Sequence, residues 1–350
     1  MQWSPSTSQP RRDAIGELLA TGGRLRYSGS QAVASDSRPV TVIVRGRWTR
    51  STDHETQTEI LRKAIDVPDL TSLSLQLIRL SASETEMLKQ FPHIRSLQLE
   101  RVRTQDFSWL ESMQSLESIS ISRMNSDAVL QHVAQLPRLR SVSANYVTDA
   151  GGQLLSHATN LESIWFRNSS VGNASIASWV QLDRLSRLRL ESPNVTNDAL
   201  PSIGQMRALN MLSLERARID NVGLDSLSQL NRLQFLGLVD TNVTTAAFSK
   251  LASIRQLQTI RFVTRELDED RIDLLDYTIN TFWDEFSDET NDNIKRMVIK
   301  FFQENPHPQE FSLGSHRVDA NAPELWIDEL LHQLKPVLEF CRELPDCRLR

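Results

Sequence analysis

The chain reads as an α/β solenoid, a right-handed stack of short strand-plus-return units, and three observations predict it. The first is a spacing, apolar-x-x-apolar-x-apolar, that begins nine times, at Leu70, Ile94, Leu116, Leu139, Leu161, Leu185, Leu209, Leu233 and Leu257. The second is its period, with intervals of 24, 22, 23, 22, 24, 24, 24 and 24 residues. Units of that size cannot bury an apolar face alone and must stack on one another. The third is a change of apolar spacing inside each unit, from two to three. Alternate residues share a face of a strand and residues three apart share a face of a helix, so each unit is a strand on one side and a helix on the other.

The unit that starts at Leu185 shows this most clearly. Its strand positions Leu185, Leu188 and Leu190 are followed by Val195-Thr196-Asn197-Asp198 and then by Leu200, Ile203 and Met206. Ile219-Asp220 and Val243-Thr244 repeat the turn, while Leu224, Leu227, Leu230 and Phe248, Leu251, Ile254 repeat the helix face. At each turn an apolar residue (Val171, Val195, Ile219, Val243, Leu267) plugs the core. The Thr or Asp after it is placed to accept a backbone N–H as helix N-cap. Ser81 with Glu84 fits a capping box, and the shortened units with Asn125-Ser126-Asp127 and Val147-Thr148-Asp149 keep the cap with a tighter turn. The strand-to-return loops lack a mid-loop asparagine, since Ile78, Val102, Met124, Val147, Ser169, Pro193, Ala217, Thr241 and Arg265 stand there.

L-x-x-L-x-L at this period is the leucine-rich-repeat signature. With V-T-N-D-A-L at Val195 to Leu200 and V-T-T-A-A-F at Val243 to Phe248, the array resembles bacterial leucine-rich-repeat proteins whose helix opens with a V-T-D-type step, which are similar to ribonuclease-inhibitor-like repeats. The resemblance covers about 200 residues. It implies a horseshoe with a parallel concave sheet and convex helices, in a motif shared by proteins of many functions.

Upstream, Arg11 to Leu19 has the pattern of a short helix stopped by Gly22-Gly23. Arg24 to Ser28 and Val40 to Val44 read as short strands, and Glu55 to Asp66 as a helix. The expected organisation is an α/β N-terminal cap with a divergent first unit over 1–69, nine regular repeats over 70–280, and a helical C-terminal cap over 281–350. In that last segment Asp292 to Gln303 and Ala322 to Leu344 have helical spacing and are separated by Pro306 and Pro308.

Charge and composition exclude several classes. No run of about 18 apolar residues is present to cross a bilayer. Met1 to Pro10 is polar and lacks the apolar core of a signal peptide. The expectation is a soluble, cytoplasmic protein, although relatives with such a cap often carry a membrane helix ahead of it. Cys341 and Cys347 are too few for a disulfide scaffold or a four-cysteine zinc site. Net charge is −5 and the sequence pI is near 5.9, which argues against a dedicated nucleic-acid binder. The charge is uneven, with eight arginines in residues 1–50 and eleven carboxylates from Glu266 to Asp292. Self-association through these oppositely charged ends is one reading of that bias.

Signatures of catalysis are poor. No G-x-S-x-G, phosphate-binding glycine loop, H-E-x-x-H or paired cysteine motif occurs. His307, His316, His332 and Cys341 fall in the C-terminal segment beside Asp319, but their spacing is irregular. Asp268-Glu269-Asp270 reads as a solvated helix start. Sequons at Asn168, Asn173, Asn194 and Asn242 include two by-products of the N-V-T turn. No cofactor and no metal are expected.

The strand residues that flank the second apolar position face the concave side. The first half of the array puts serine there almost throughout, at Ser72/Ser74, Ser96/Gln98, Ser118/Ser120 and Ser141/Ser143. The second half carries Trp165, Arg187, Arg189, Met211 and Phe235, with Arg167 and Arg261 beside them. Tryptophan, arginine and aromatic side chains dominate interface hot spots. Chance decoration, neutralised by Glu191 and Glu215, is the competing account. Strand spacing makes Trp165 and Arg189 candidates for a lateral cation–π pair, and puts Arg187, Met211 and Phe235 in one diagonal strip. The expected function is non-catalytic binding of a protein or peptide on this face. The alternative is a targeting arm for a C-terminal effector segment.

Overall fold

The computed structural model describes residues 70–264 except Pro92, together with 24–27, 40–45 and 52–67 upstream, isolated helical positions at Glu17 and Ala20, and short strands at 310–313, 316–319 and 348–349. The two C-terminal segments expected to be helical, and the carboxylate cluster from Glu266 to Asp292, lie outside the described residues. The chain divides into two compact units, Met1–Val171 and Gly172–Arg350.

In the first unit, β1 (Arg24–Tyr27) runs antiparallel to β2 (Val40–Arg45), and a helix, α1, spans Thr52–Ile65. From β2 onward every pairing is parallel: β2 to β3 (Ser72–Gln76), β4 (Ser96–Glu100), β5 (Ser118–Ser122), β6 (Ser141–Asn145) and β7 (Ser163–Arg167). In the second unit β8 (Arg187–Glu191), β9 (Met211–Glu215), β10 (Phe235–Thr241) and β11 (Thr259–Thr264) pair in the same parallel sense. This is a leucine-rich-repeat solenoid, one strand per repeat and one return segment behind it.

Register makes the core. In the first unit Leu73, Leu97, Ile119, Val142 and Ile164 line up across the strands, as do Leu75, Leu99, Ile121, Ala144 and Phe166. In the second, Leu188, Leu212, Leu236 and Ile260 form the equivalent row. All of these are buried. Small Ala144 stands beside large Phe166 in the second row, and both are buried.

The return segments depart from the uniform helices expected from sequence. Four are α-helical, α2 (Ala82–Leu88), α3 (Ser126–Val133), α4 (Asp149–Leu154) and α5 (Asn173–Ser178); α6 (Leu200–Gln205) and α7 (Phe248–Leu251) each follow a 3₁₀ turn. Two others are 3₁₀ throughout, Ser108–Ser112 and Leu224–Gln229. Leu224 and Leu227 of the second segment are both buried, as are Leu200 and Ile203 of α6 at the same spacing. Gly204 then allows α6 to approach that segment closely, because a Cβ there would meet the backbone oxygen of Ser226 at 2.3 Å.

The caps also need correction. Ser81 and Glu84 do form the expected capping box, and Thr148 and Thr196 do cap their segments. Asn125, however, makes no capping hydrogen bond, and the Ser126 hydroxyl instead donates to the carbonyl of Asn145 at 2.6 Å. Asp220 accepts from the Val222 N–H at 2.7 Å in a local turn, and its 3₁₀ segment starts only after Gly223 in the left-handed conformation.

What replaces the mid-loop asparagine ladder is a different ladder, one step along. Asn173 accepts from the Thr196 N–H (3.0 Å) and donates to its hydroxyl (2.7 Å); Asn221 does the same to Thr244 (2.9 and 2.7 Å), and Asn197 accepts from the Asp220 N–H (3.1 Å) and donates to its carboxylate (2.8 Å). In the first unit the Asp127 carboxylate takes both the N–H and the hydroxyl of Thr148. At these four places one repeat holds the turn of the next. At the strand exits Leu77, Arg101, Arg123, Tyr146, Asn168, Arg216 and Asp240 all have left-handed φ between 45° and 59°. That geometry turns the chain sharply while the N–H still reaches the neighbouring strand, as in Leu77 N–H to Glu100 (2.8 Å) and Arg216 N–H to Val239 (2.8 Å).

Candidate functional site

Each strand alternates, so the residues between the buried rows stand on the opposite face of the sheet. In the first unit that face is hydroxylic: Ser72, Ser96, Ser118, Ser141 and Ser163 are in register. At β7 it changes character. The Arg167 guanidinium carbon lies 4.4 Å from the centroid of the Trp165 ring, two positions back on the same strand. Trp165 is half-buried and Arg167 exposed. A guanidinium that sits over an aromatic ring can still meet a carboxylate through its N–H donors.

In the second unit the same face carries two rows. The first runs Arg187, Met211, Phe235, Thr259 and the second Arg189, Ser213, Gly237, Arg261. Arg187, Met211 and Phe235 therefore form a straight row across three strands, not the diagonal strip expected from sequence. Met211 and Phe235 are half-buried, and Arg187 and Arg261 are exposed. Gly237 is what lets Phe235 lie down: a Cβ there would sit 3.3 Å from the ring's Cε1 and 2.5 Å from the Ser213 hydroxyl.

Charges on this face are unevenly matched. Arg189 grips Glu215 through Nε at 2.7 Å and a terminal nitrogen at 2.6 Å, and the Ser213 hydroxyl donates to the same oxygen at 3.3 Å. Glu191, the other carboxylate expected to neutralise the arginines, instead faces Arg216 at 3.4 Å. Arg187 is left with no ion pair or hydrogen bond among the described residues. The expectation that Glu191 and Glu215 quench the whole cluster is thus half right: one arginine is neutralised and its neighbour on the strand is not.

The sequence-predicted residues accordingly fall in two sets, Trp165 with Arg167 on the first unit, and Arg187, Met211, Phe235, Arg189 and Arg261 on the second. Within the first unit the Arg167 guanidinium lies over the Trp165 ring, and within the second Arg189 is held by Glu215. The i, i+2 spacing W-x-R on one strand face carried that signal. Among the described residues no three His, Cys, Asp or Glu side chains gather as a metal site, and no helix is long and apolar enough to cross a membrane.

No family model matches the chain, and no curated protein matches its sequence. Among solved structures it is similar to internalin F of Listeria monocytogenes, with 13% identity and a TM-score of 0.44 over 75% of this chain and 92% of that one. A leucine-rich-repeat protein of Leptospira interrogans gives 14% identity and a TM-score of 0.40 over 61% and 60%. The ectodomain of a membrane receptor kinase from Arabidopsis thaliana, in complex with Casparian strip integrity factor 2, gives 18% and 0.42 over 58% and 25%. The leucine-rich-repeat fold is carried by the repeat and its strand register.

Proposed function

We propose that the chain is a non-catalytic binding module for a protein or peptide, engaged through the sheet face opposite the return segments. The observation that carries this reading is the first row of the second unit. An exposed arginine without an ion pair stands in register beside a half-buried methionine and a half-buried phenylalanine. A monomeric surface gains nothing from that grouping, whereas a partner that brings a carboxylate next to an apolar anchor satisfies all three side chains at once. Arg167, stacked on Trp165, offers the same chemistry on the first unit. The cap and array boundaries at 69 and 280 belong to this proposal, with the caps closing the apolar ends of the stack.

The test is selection from a random peptide display library against the whole chain, followed by titration calorimetry. Selected peptides should combine Asp or Glu with a large apolar residue. Arg187→Ala and Phe235→Ala should each weaken them by more than about 1 kcal/mol, a usual hot-spot threshold, with melting unchanged. Peptides without acidic residues, or full affinity in both variants, would refute the reading.

A further inference from the structure

The repeats enter their strands along one edge of the sheet, and the two units handle charge there in opposite ways. In the first unit the residue before each strand is charged and alternates in sign. Arg95, Glu117, Arg140 and Glu162 form a backbone ladder, each after the first donating its N–H to the carbonyl of the one before at 2.8 Å. Their side chains pair along it, Arg95 with Glu117 at 3.7 Å and Arg140 with Glu162 at 2.9 Å. That edge cancels its own field, and Arg138, in the turn ahead of β6, belongs to a repeat flanked by Glu117 and Glu162.

In the second unit the same ladder is neutral. Ser186, Asn210, Gln234 and Gln258 are joined by N–H to carbonyl bonds of 2.8, 2.9 and 2.8 Å. The tight turn ahead of each closes in one way, with the N–H of Leu185, Leu209, Leu233 and Leu257 reaching the carbonyl three residues back at 2.9, 3.0, 3.0 and 3.1 Å. Every one of these turns carries an exposed arginine: Arg184, Arg207, Arg232 and Arg255. None of the four has an ion pair or a side-chain hydrogen bond among the described residues. Asp183 is the one carboxylate in these turns and their ladder, and it pairs with none of them. Glu191 and Glu215 stand at the far ends of their strands and serve Arg216 and Arg189. Since the backbone ladder is the same in both units, glutamates on it would have neutralised the second edge as they do the first.

We infer that this edge binds an extended acidic segment of a partner protein, laid across the repeats with its carboxylates on the turn arginines. Guanidinium groups meet carboxylates in forks, and the arginines recur once per repeat. At about 4.8 Å per strand the four turns span ~14 Å, and about five residues of extended chain, at ~3.3 Å each, cover that length with alternate side chains on one face. Three acidic residues at alternating positions therefore match the edge. The ladder is followed directly by Arg187, Met211 and Phe235, so the same segment can seat an apolar residue on that row; for this anchor alone the inference rests on the proposed binding face. A long polyanion fits less well, because the chain's net charge of −5 repels whatever extends beyond the edge, and Phe235 is the single aromatic side chain on the row for a base to stack on.

The probe is a fluorescent heptapeptide, phenylalanine followed by alternating serine and glutamate with three glutamates, titrated with the whole chain by anisotropy at about 0.05 M salt. Saturation below about 1 mM is expected, with the glutamine version of the peptide ~10-fold weaker or more. Arg184→Gln, Arg207→Gln, Arg232→Gln and Arg255→Gln should each weaken binding about 2–5-fold, and the four together ~10-fold or more with loss of the salt dependence. Arg95→Gln and Arg140→Gln, on the self-neutralised edge, should change nothing; a melting curve checks each fold. Absence of saturation, equal binding of the glutamine peptide, or a uridine hexanucleotide that binds more tightly than the glutamate peptide would overturn the inference. The two readings separate in the variants. Loss of binding in Phe235→Ala with full affinity in the four-arginine variant would overturn the edge and leave the proposed face, whereas full affinity in Phe235→Ala with loss in the four-arginine variant would uphold the edge and remove its anchor.

Discussion

The outward face of β3–β6 and that of β8–β11 are built on the same backbone and the same buried rows, yet one is hydroxylic and the other carries arginine, methionine and phenylalanine. Leu97 and Leu212 occupy the same place in their repeats and are equally buried, so packing demands the same of both regions. Most outward positions answer to no such demand, Ser74, Ser213 and Gly237 being closely packed exceptions. Small serines suit parallel strands anywhere in the array, and nothing about core packing requires Phe235 or Arg187. The difference between the two faces is one that the buried rows do not dictate, and it is the difference on which the proposed binding role rests.

The largest effects should fail to distinguish the regions. Leu97→Ala and Leu212→Ala are each expected to cost about 2–5 kcal/mol of stability, measured by chemical denaturation, because both empty a buried row. A large disparity between them would mean that one unit carries the fold and the other hangs from it. Next comes Gly204→Ala, at about 1–3 kcal/mol, since the added methyl meets the backbone oxygen of Ser226 and not a side chain that can swing away.

The repeat, its period, the strand positions and the buried rows were legible in the sequence because apolar spacing reports burial directly. The choice between α- and 3₁₀-helix was not, since a return of six residues satisfies either geometry and only stacking against the neighbour decides. Nor was the second asparagine ladder. Asn173, Asn197 and Asn221 recur every 24 residues, but their partners lie in the following repeat, and a reading made one unit at a time assigns the turn to Thr and Asp alone. The candidate site was readable as residue types. Which arginine is left without a carboxylate was not, because Glu191 and Glu215 sit at equivalent strand positions and the structure gives them to different arginines.

Smaller changes sharpen the contrast. Asn197→Ala removes two hydrogen bonds to Asp220 and should cost about 1–2 kcal/mol, whereas Ser120→Ala on the hydroxylic face should leave both stability and binding unchanged. Phe235→Ala should weaken a selected peptide by more than about 1 kcal/mol and leave melting alone. The smallest effect is a pH dependence at Asp106, whose carboxyl is held below the usual carboxylate range mainly by the Ser108 hydroxyl. A depressed folded-state value means the stabilisation is present above the unfolded value, about 3.9, and is lost as pH falls through the folded one. The melting difference between the native chain and Asp106→Ala should accordingly be present at neutral pH and close in acid.

The most direct measurement is hydrogen–deuterium exchange of the whole chain with and without a peptide selected against it. Protection is expected in the strands of the Arg187–Met211–Phe235 row, over 187–190, 211–215 and 235–238, with the serine-bearing strands 96–100 and 118–122 unchanged. Protection confined to the return segments, or spread evenly over both regions, would contradict the claim that the second unit's outward row is where a partner binds.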